Sequence, residues 1–149
     1  MKNDSLDELY QSIILEHNKR PSNYGHLGSA THTAKGFNPL CGDKCTVQLN
    51  IVDQSIEAIK FEAACCAICK ASASMMSNAL LGKSLAQAEK FTLRVHRILS
   101  DDDLDDFEDD GDLVSLNGVK NFPSRIKCAL LPWRTYQAAI RNKSTTVLE

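Results

Sequence analysis

Lys44-Cys45-Thr46-Val47-Gln48-Leu49-Asn50-Ile51 decides how this chain is read, because Cys45, Val47, Leu49 and Ile51 alternate strictly with polar neighbours. That is the period of a strand with one buried and one wet face. Asp53-Gln54-Ser55 is turn-forming and residues Ile56 to Ala63 return as a second strand, so the two are expected to pair as an antiparallel hairpin. Upstream, Ala30 to Lys35 is a shorter and weaker strand candidate carrying Thr and His. Downstream the period changes. From Ala67 to Leu81 the residues are mostly Ala, Ser and Met, with Ile68, Met75, Met76, Ala79 and Leu80 on one side and Gly82 as the stop, which predicts a helix. Ser84 and Gln87 open another, running to about Leu99.

At the N-terminal end, Ser5-Leu6-Asp7-Glu8 reads as a capping box. Leu6, Leu9, Tyr10, Ile13 and Ile14 then form one apolar stripe of a helix that Pro21 ends. Residues 21 to 28 are loop formers. Leu113 to Val119 is apolar enough to re-enter the fold. Pro123 suits the first turn of a helix carrying Cys128, and Pro132 is expected to interrupt or kink it before Trp133, Tyr136 and Ile140 continue the stripe. The whole is an α+β pattern in one domain, residues 1–142, with an acidic insert at about 100–113 and a frayed tail at 143–149.

A chain of 149 residues can bury a single proper core. Its polar start and the lack of any long apolar run predict neither signal peptide nor transmembrane helix, hence a cytoplasmic protein without membrane contacts. The formal charge of −2 hides an asymmetry: residues 101 to 112 hold nine of the nineteen acidic residues and no basic one. That stretch is expected as an exposed loop or ragged helix. Between Lys120 and Lys143 there are six basic residues and no acidic one, a surface for an acidic partner. The basic residues are scattered, aromatics among them are few and no nucleic-acid motif accompanies them, so nucleic acid is not the expected partner.

Six cysteines in a cytoplasmic chain point to metal or thiol chemistry rather than disulfides. In Asn38-Pro39-Leu40-Cys41-Gly42-Asp43 a proline and a glycine fold the backbone so that a thiol and a carboxylate two residues apart can converge, half of a metal site. The other half must come from Cys65-Cys66-Ala67-Ile68-Cys69 or from Cys128. Cys66 falls at a strand-to-helix junction, where free N–H groups stabilise a thiolate, and Cys69, three residues on, could overlook the same site. Cys128 shares a helical face with Arg125 in a basic turn. Cys45 is in phase with Val47 and Leu49 and belongs to the core. His17, His26, His32 and His96 lie outside every cysteine island and are expected as surface or satisfied polar residues. Three thiolates and a carboxylate would suit tetrahedral zinc. The competing pattern is a structural zinc ribbon from Cys41-x3-Cys45 and Cys66-x2-Cys69; it leaves Asp43 and Cys128 unexplained and uses a core cysteine.

These residues resemble the SufU branch of the SufU/IscU family, the NifU N-terminal-like proteins of iron-sulfur cluster assembly. The resemblance runs from Leu9 to Ile140 and is carried by Asn38 to Asp43, by Phe61 through Cys66 leading into Ala71-Ser72-Ala73-Ser74-Met75-Met76, and by Phe122-Pro123-Ser124-Arg125-Ile126-Lys127-Cys128. It implies a three-stranded antiparallel sheet with helices packed on it, and a metal site of Cys41, Asp43, Cys66 and Cys128. IscU-type scaffolds, which assemble a [2Fe-2S] cluster, carry His before the last cysteine, whereas SufU-type proteins carry Lys after a longer segment. This chain has Lys127 and the longer segment. The resemblance therefore implies a zinc-dependent sulfurtransferase, with iron or a transient [2Fe-2S] cluster as the alternative cargo of a scaffold. Cys41 and Asp43 would be its catalytic residues. Its partners would be a PLP-dependent cysteine desulfurase (SufS-like) and a downstream SufBCD-like scaffold. In that chemistry a freed Cys41 thiolate attacks the outer sulfur of an enzyme persulfide, and zinc holds the thiolates ready. Three positions depart from the family pattern: Cys65 stands for Gly, Cys69 for a small polar residue and Lys70 for an apolar one.

Overall fold

The computed structural model describes residues 4–100 and 111–148. Helix α1 (Asp4–Lys19) leads to β1 (His32–Asn38), β2 (Asp43–Val52), β3 (Ser55–Ala64), α2 (Ala67–Leu80), α3 (Leu85–Ser100), a run of 3₁₀ turns (Gly111–Asn121), α4 (Pro123–Ile140) and β4 (Thr145–Val147). Residues 101–110, most of the expected acidic insert, lie outside the described residues, as does the Ser5 side chain of the proposed capping box. The second box is formed: Gln87 N–H donates to Ser84 Oγ at 3.1 Å, and Ser84 N–H to Gln87 Oε1 at 3.0 Å.

The decisive stretch is β2. Cys45, Val47 and Leu49 point into the core, and the alternation holds until a register shift at Asn50/Ile51. Two left-handed residues, Asp53 (φ 51°) and Gln54 (φ 65°), turn the chain tightly into β3, the geometry that matches the twist of paired strands. β1 pairs with the other edge of β2, again antiparallel. The sheet does not stop at three strands, however. Its order is β3-β2-β1-β4, and β4 runs parallel to β1, so the sheet is four-stranded and mixed. The extra strand comes from the tail expected to fray: Lys35 N–H donates to Ser144 O, and Leu148 N–H to Phe37 O, both at 2.9 Å. Thr-Thr-Val is β-branched throughout, and β1 offers it a free edge whose backbone groups need partners.

Helices cover one face of this sheet. α4 lies on β1 and β2, α2 on β3, and α1, α3 and the 3₁₀ run pack outside those two. α2 is buried on nearly all sides, which explains its Ala, Ser and Met composition: small residues let neighbours approach and each hydroxyl finds a partner. Ser72 Oγ donates to Ala129 O at 2.6 Å and accepts from Trp133 Nε1 at 3.1 Å. Ser74 Oγ accepts Ser22 N–H at 2.8 Å and bonds His17 Nδ1 at 2.7 Å, while His17 Nε2 meets Asp112 Oδ2 at 2.8 Å. The stripe of α1 is thus rotated from its expected position. Its inward row is Tyr10, Ile13, Ile14 and His17, whereas Leu6 and Leu9 are exposed.

Pro132 does not interrupt α4, which continues to Ile140. It only removes the bond its N–H would have made to Cys128 C=O. Close packing of α4 on β1 depends on Gly36, where an added Cβ would overlap Thr135 Oγ1 and come within 3.0 Å of Leu131 Cδ1.

Candidate metal centre

The turn that starts the site is the β1–β2 hairpin loop, Pro39-Leu40-Cys41-Gly42, closed by Cys41 N–H donating to Asn38 O at 3.3 Å. Gly42 takes φ +71°, a left-handed conformation that most side chains disfavour, and so brings the chain back into β2 within one residue of Cys41. Cys41 is exposed at the tip. Asp43 is only 3% exposed, because it is the first member of the inward row continued by Cys45, Val47 and Leu49. Cys128, fully buried on α4, faces both from below. The ligand atoms of Cys41, Asp43 and Cys128 all lie within 4.8 Å of one another, a group that could hold a metal ion.

Local bonding fits that reading. Asp43 Oδ1 accepts Cys66 N–H at 3.1 Å, but its buried Oδ2 has no protein partner. A buried carboxylate oxygen left that way costs free energy, which a cation among two thiols and a carboxylate would offset. Cys128 Sγ donates to Cys41 Sγ at 3.7 Å and accepts from Asn38 Nδ2 at 3.9 Å. Burial, followed by hydrogen bonding to Asp43 and the charge of Cys66, pushes the Cys128 thiol well up. A metal must therefore displace its proton. Arg125, fully exposed, hydrogen-bonds Cys128 and faces the sulfurs of Cys66 and Cys41, contacts that hold its guanidinium above its ordinary value.

Cys66 stands outside the three-donor group. It is the N-cap of α2, with its Sγ accepting Cys69 N–H at 3.5 Å, though it also contacts Cys128. Free helix N–H groups compete for the sulfur. Cys69 is fully buried, with its thiol pushed up by a hydrogen bond to Cys65 and by burial, and Cys45 is pushed up by burial. Among the described residues no histidine joins a metal group: His17 is held between Ser74 and Asp112, His26 lies 3.7 Å from Glu62 on the surface, and His32 bonds Thr31. His96 is half-buried, its imidazole pushed down first by burial and then by Arg134. Asn38, 1% exposed against Cys128, is a site residue that residue types alone did not single out; its place in the inward row Ala34, Gly36, Asn38 was the available signal.

Residues 9–142 match the NifU-like N terminal domain. The chain belongs to that family. Among curated NifU-like relatives it is 36% identical over 138 residues to the zinc-dependent sulfurtransferase SufU of Bacillus subtilis (strain 168), covering 93% of each chain. It is 32% identical over 139 residues to the iron-sulfur cluster assembly scaffold protein IscU of Streptococcus pyogenes serotype M1, covering 93% of this chain and 87% of that protein. Among solved structures, the protein called FiSufU from Fervidobacterium islandicum AW-1 superposes with a TM-score of 0.82 at 29% identity, over 89% of this chain and 97% of that one. The N-terminal part of a nitrogen-fixing NifU-like protein from Brucella abortus gives the same TM-score at 23% identity, over 92% and 95%, and shares the fold. Helices packed on one sheet are thus the NifU-like architecture, and among the described residues no helix is long and apolar enough to cross a membrane.

Proposed function

We propose that this chain is a zinc-dependent sulfurtransferase of SUF-type iron-sulfur cluster assembly. In the cytoplasm it accepts persulfide sulfur on Cys41 from a PLP-dependent cysteine desulfurase (SufS-like) and passes it to a SufBCD-like scaffold. One observation carries the reading: Cys41 is exposed on a hairpin tip yet only 3.7 Å from the buried Cys128. A thiol so placed can belong to a metal site and still be presented to another protein. Cys41, Asp43 and Cys128 would hold zinc with Cys66 as fourth ligand, and zinc, which is redox-inert, would supply a fixed template for deprotonated thiolates. The protein's own part is then simple. Cys41 thiolate attacks the outer sulfur of the desulfurase persulfide, the S–S bond of the donor breaks, and the donor leaves as thiolate. Asp43 is the ligand that also positions the start of α2 through Cys66 N–H. Exposed Leu40, beside Cys41, and exposed Phe122, at the start of α4, support a protein partner at this end.

The scaffold reading is disfavoured by Lys127, where IscU-type proteins carry a histidine ligand candidate. Metal analysis after anaerobic purification separates the two. A colourless protein with about one zinc per chain, lost in Cys128→Ser, supports the sulfurtransferase. A coloured protein containing iron and sulfide would overturn it.

A further inference from the structure

The six cysteines of this chain form one unbroken run of contacts. Cys41 and Cys128 are 3.7 Å apart, Cys128 touches Cys66, and Cys66 Sγ accepts Cys69 N–H. Cys69 in turn hydrogen-bonds Cys65, and both face Cys45. The two ends of this run differ in access. Cys41 is exposed, whereas Cys65 is half-buried, with Cys69 and Cys45 buried behind it. The inner three are free thiols, and among the described residues only Cys41, Asp43 and Cys128 bring three donor atoms within 4.8 Å. A second metal is therefore not what the inner thiols are arranged for.

We propose that Cys65 is a second sulfur-bearing residue, an inner holding site to which sulfane sulfur moves from the outer thiols. This rests on the sulfur transfer proposed above. In the step, Cys65 thiolate attacks the outer sulfur of a Cys41 persulfide. The bond between that sulfur and Cys41 Sγ breaks as the bond to Cys65 Sγ forms, Cys41 leaves as thiolate, and the proton stays on the terminal sulfur. Nothing is oxidised or reduced overall. Cys66, adjacent in sequence and touching Cys128, allows the same exchange in two hops. Sulfur at the hairpin tip is open to any small thiol, while sulfur on Cys65 is sheltered on its inner side and has the Cys69 S–H as donor.

The full-length protein is loaded either with desulfurase and cysteine or with glutathione persulfide. Sulfane sulfur is counted by cyanolysis, and its release by dithiothreitol is followed in time. Wild type is expected to carry about two sulfurs, one released fast and one slowly. Cys65→Ser should lose only the slow fraction, and Cys41→Ser loaded with glutathione persulfide should keep it. Cys69→Ala, which leaves Cys65 in place, should speed the slow release about fivefold through loss of one hydrogen bond. A slow fraction that survives in Cys65→Ser, or the absence of one in wild type loaded with glutathione persulfide, would overturn the inference. Failure of desulfurase loading alone, with glutathione persulfide still placing sulfur on Cys65, would instead count against the function proposed above.

Discussion

Asp43→Asn separates the two duties of this carboxylate, because the two states of the site move in opposite directions. Without metal, wild type buries Oδ2 with no protein partner at 3% exposure. Asn has the same shape, keeps an oxygen for Cys66 N–H and turns an amide N–H₂ toward the sulfurs of Cys41 and Cys128. Removing one unpartnered buried polar group is worth about 1–3 kcal/mol. For a domain of this size that is roughly 3–10 °C in Tm. With metal, the sign reverses. Zinc at a hundred times its Kd stabilises wild type by about 2.7 kcal/mol, and each tenfold loss of affinity removes about 1.4 kcal/mol of that. Replacing an anionic donor by a neutral amide should cost at least one such step. Thermal unfolding followed by circular dichroism, in chelator and in excess zinc, reads both. Asp43→Asn should melt higher than wild type in chelator and gain less from zinc. A variant that melts lower in chelator, or gains as much from zinc as wild type, would refute the reasoning.

Three further outcomes follow from the packing. Gly36→Ala drives a Cβ into Thr135 Oγ1 and should cost about 1–3 kcal/mol in denaturant unfolding, with part of the loss recovered in a Thr135→Ala background. Ser72→Ala leaves Trp133 Nε1 and Ala129 C=O without their hydroxyl partner and should lower stability by about 1–3 kcal/mol, read as a drop in urea midpoint at unchanged slope. Tyr136 has a buried hydroxyl without a partner, and burial, then the charge of Glu89, push it up to about 12. Its folded value lies above the unfolded value of about 10, so its contribution is whole below pH 10 and is lost as pH rises toward the folded value. Tyr136→Phe should therefore be as stable as wild type or more so at pH 7, and should lose less stability than wild type between pH 10 and 12, measured as the difference in unfolding midpoints.

The sheet was legible where one face alternates cleanly with the other. Cys45, Val47 and Leu49 set the register of β2, and that phase, carried back one step, also turns Asp43 inward. β4 was not legible, because three residues are too few to show a period and only the open edge of β1 makes them a strand. Pro132 misled in the other direction: a residue whose local preference is to break a helix is accommodated because α4 is fixed along its length by packing on β1 and β2. In α1 the apolar count favoured Leu6 and Leu9, but tertiary contacts chose the face carrying His17, whose ring is satisfied by Ser74 and Asp112 from distant elements. At the site, turn chemistry placed Cys41 and Asp43 together, whereas the arrival of Cys128 depended on how α4 crosses the hairpin. The partner of Asp43 Oδ1 is a backbone N–H, and backbone donors leave no trace in side-chain patterns. The same holds for the Cys66 cap over Cys69.

The account turns on Cys41 as the thiol that receives sulfur. Turnover of a PLP-dependent cysteine desulfurase, followed as alanine formed from cysteine under a reductant, tests this most directly when this protein is added with zinc bound. Stimulation by wild type and none by Cys41→Ala is the predicted result. Equal turnover with wild type, with Cys41→Ala and with neither would contradict it.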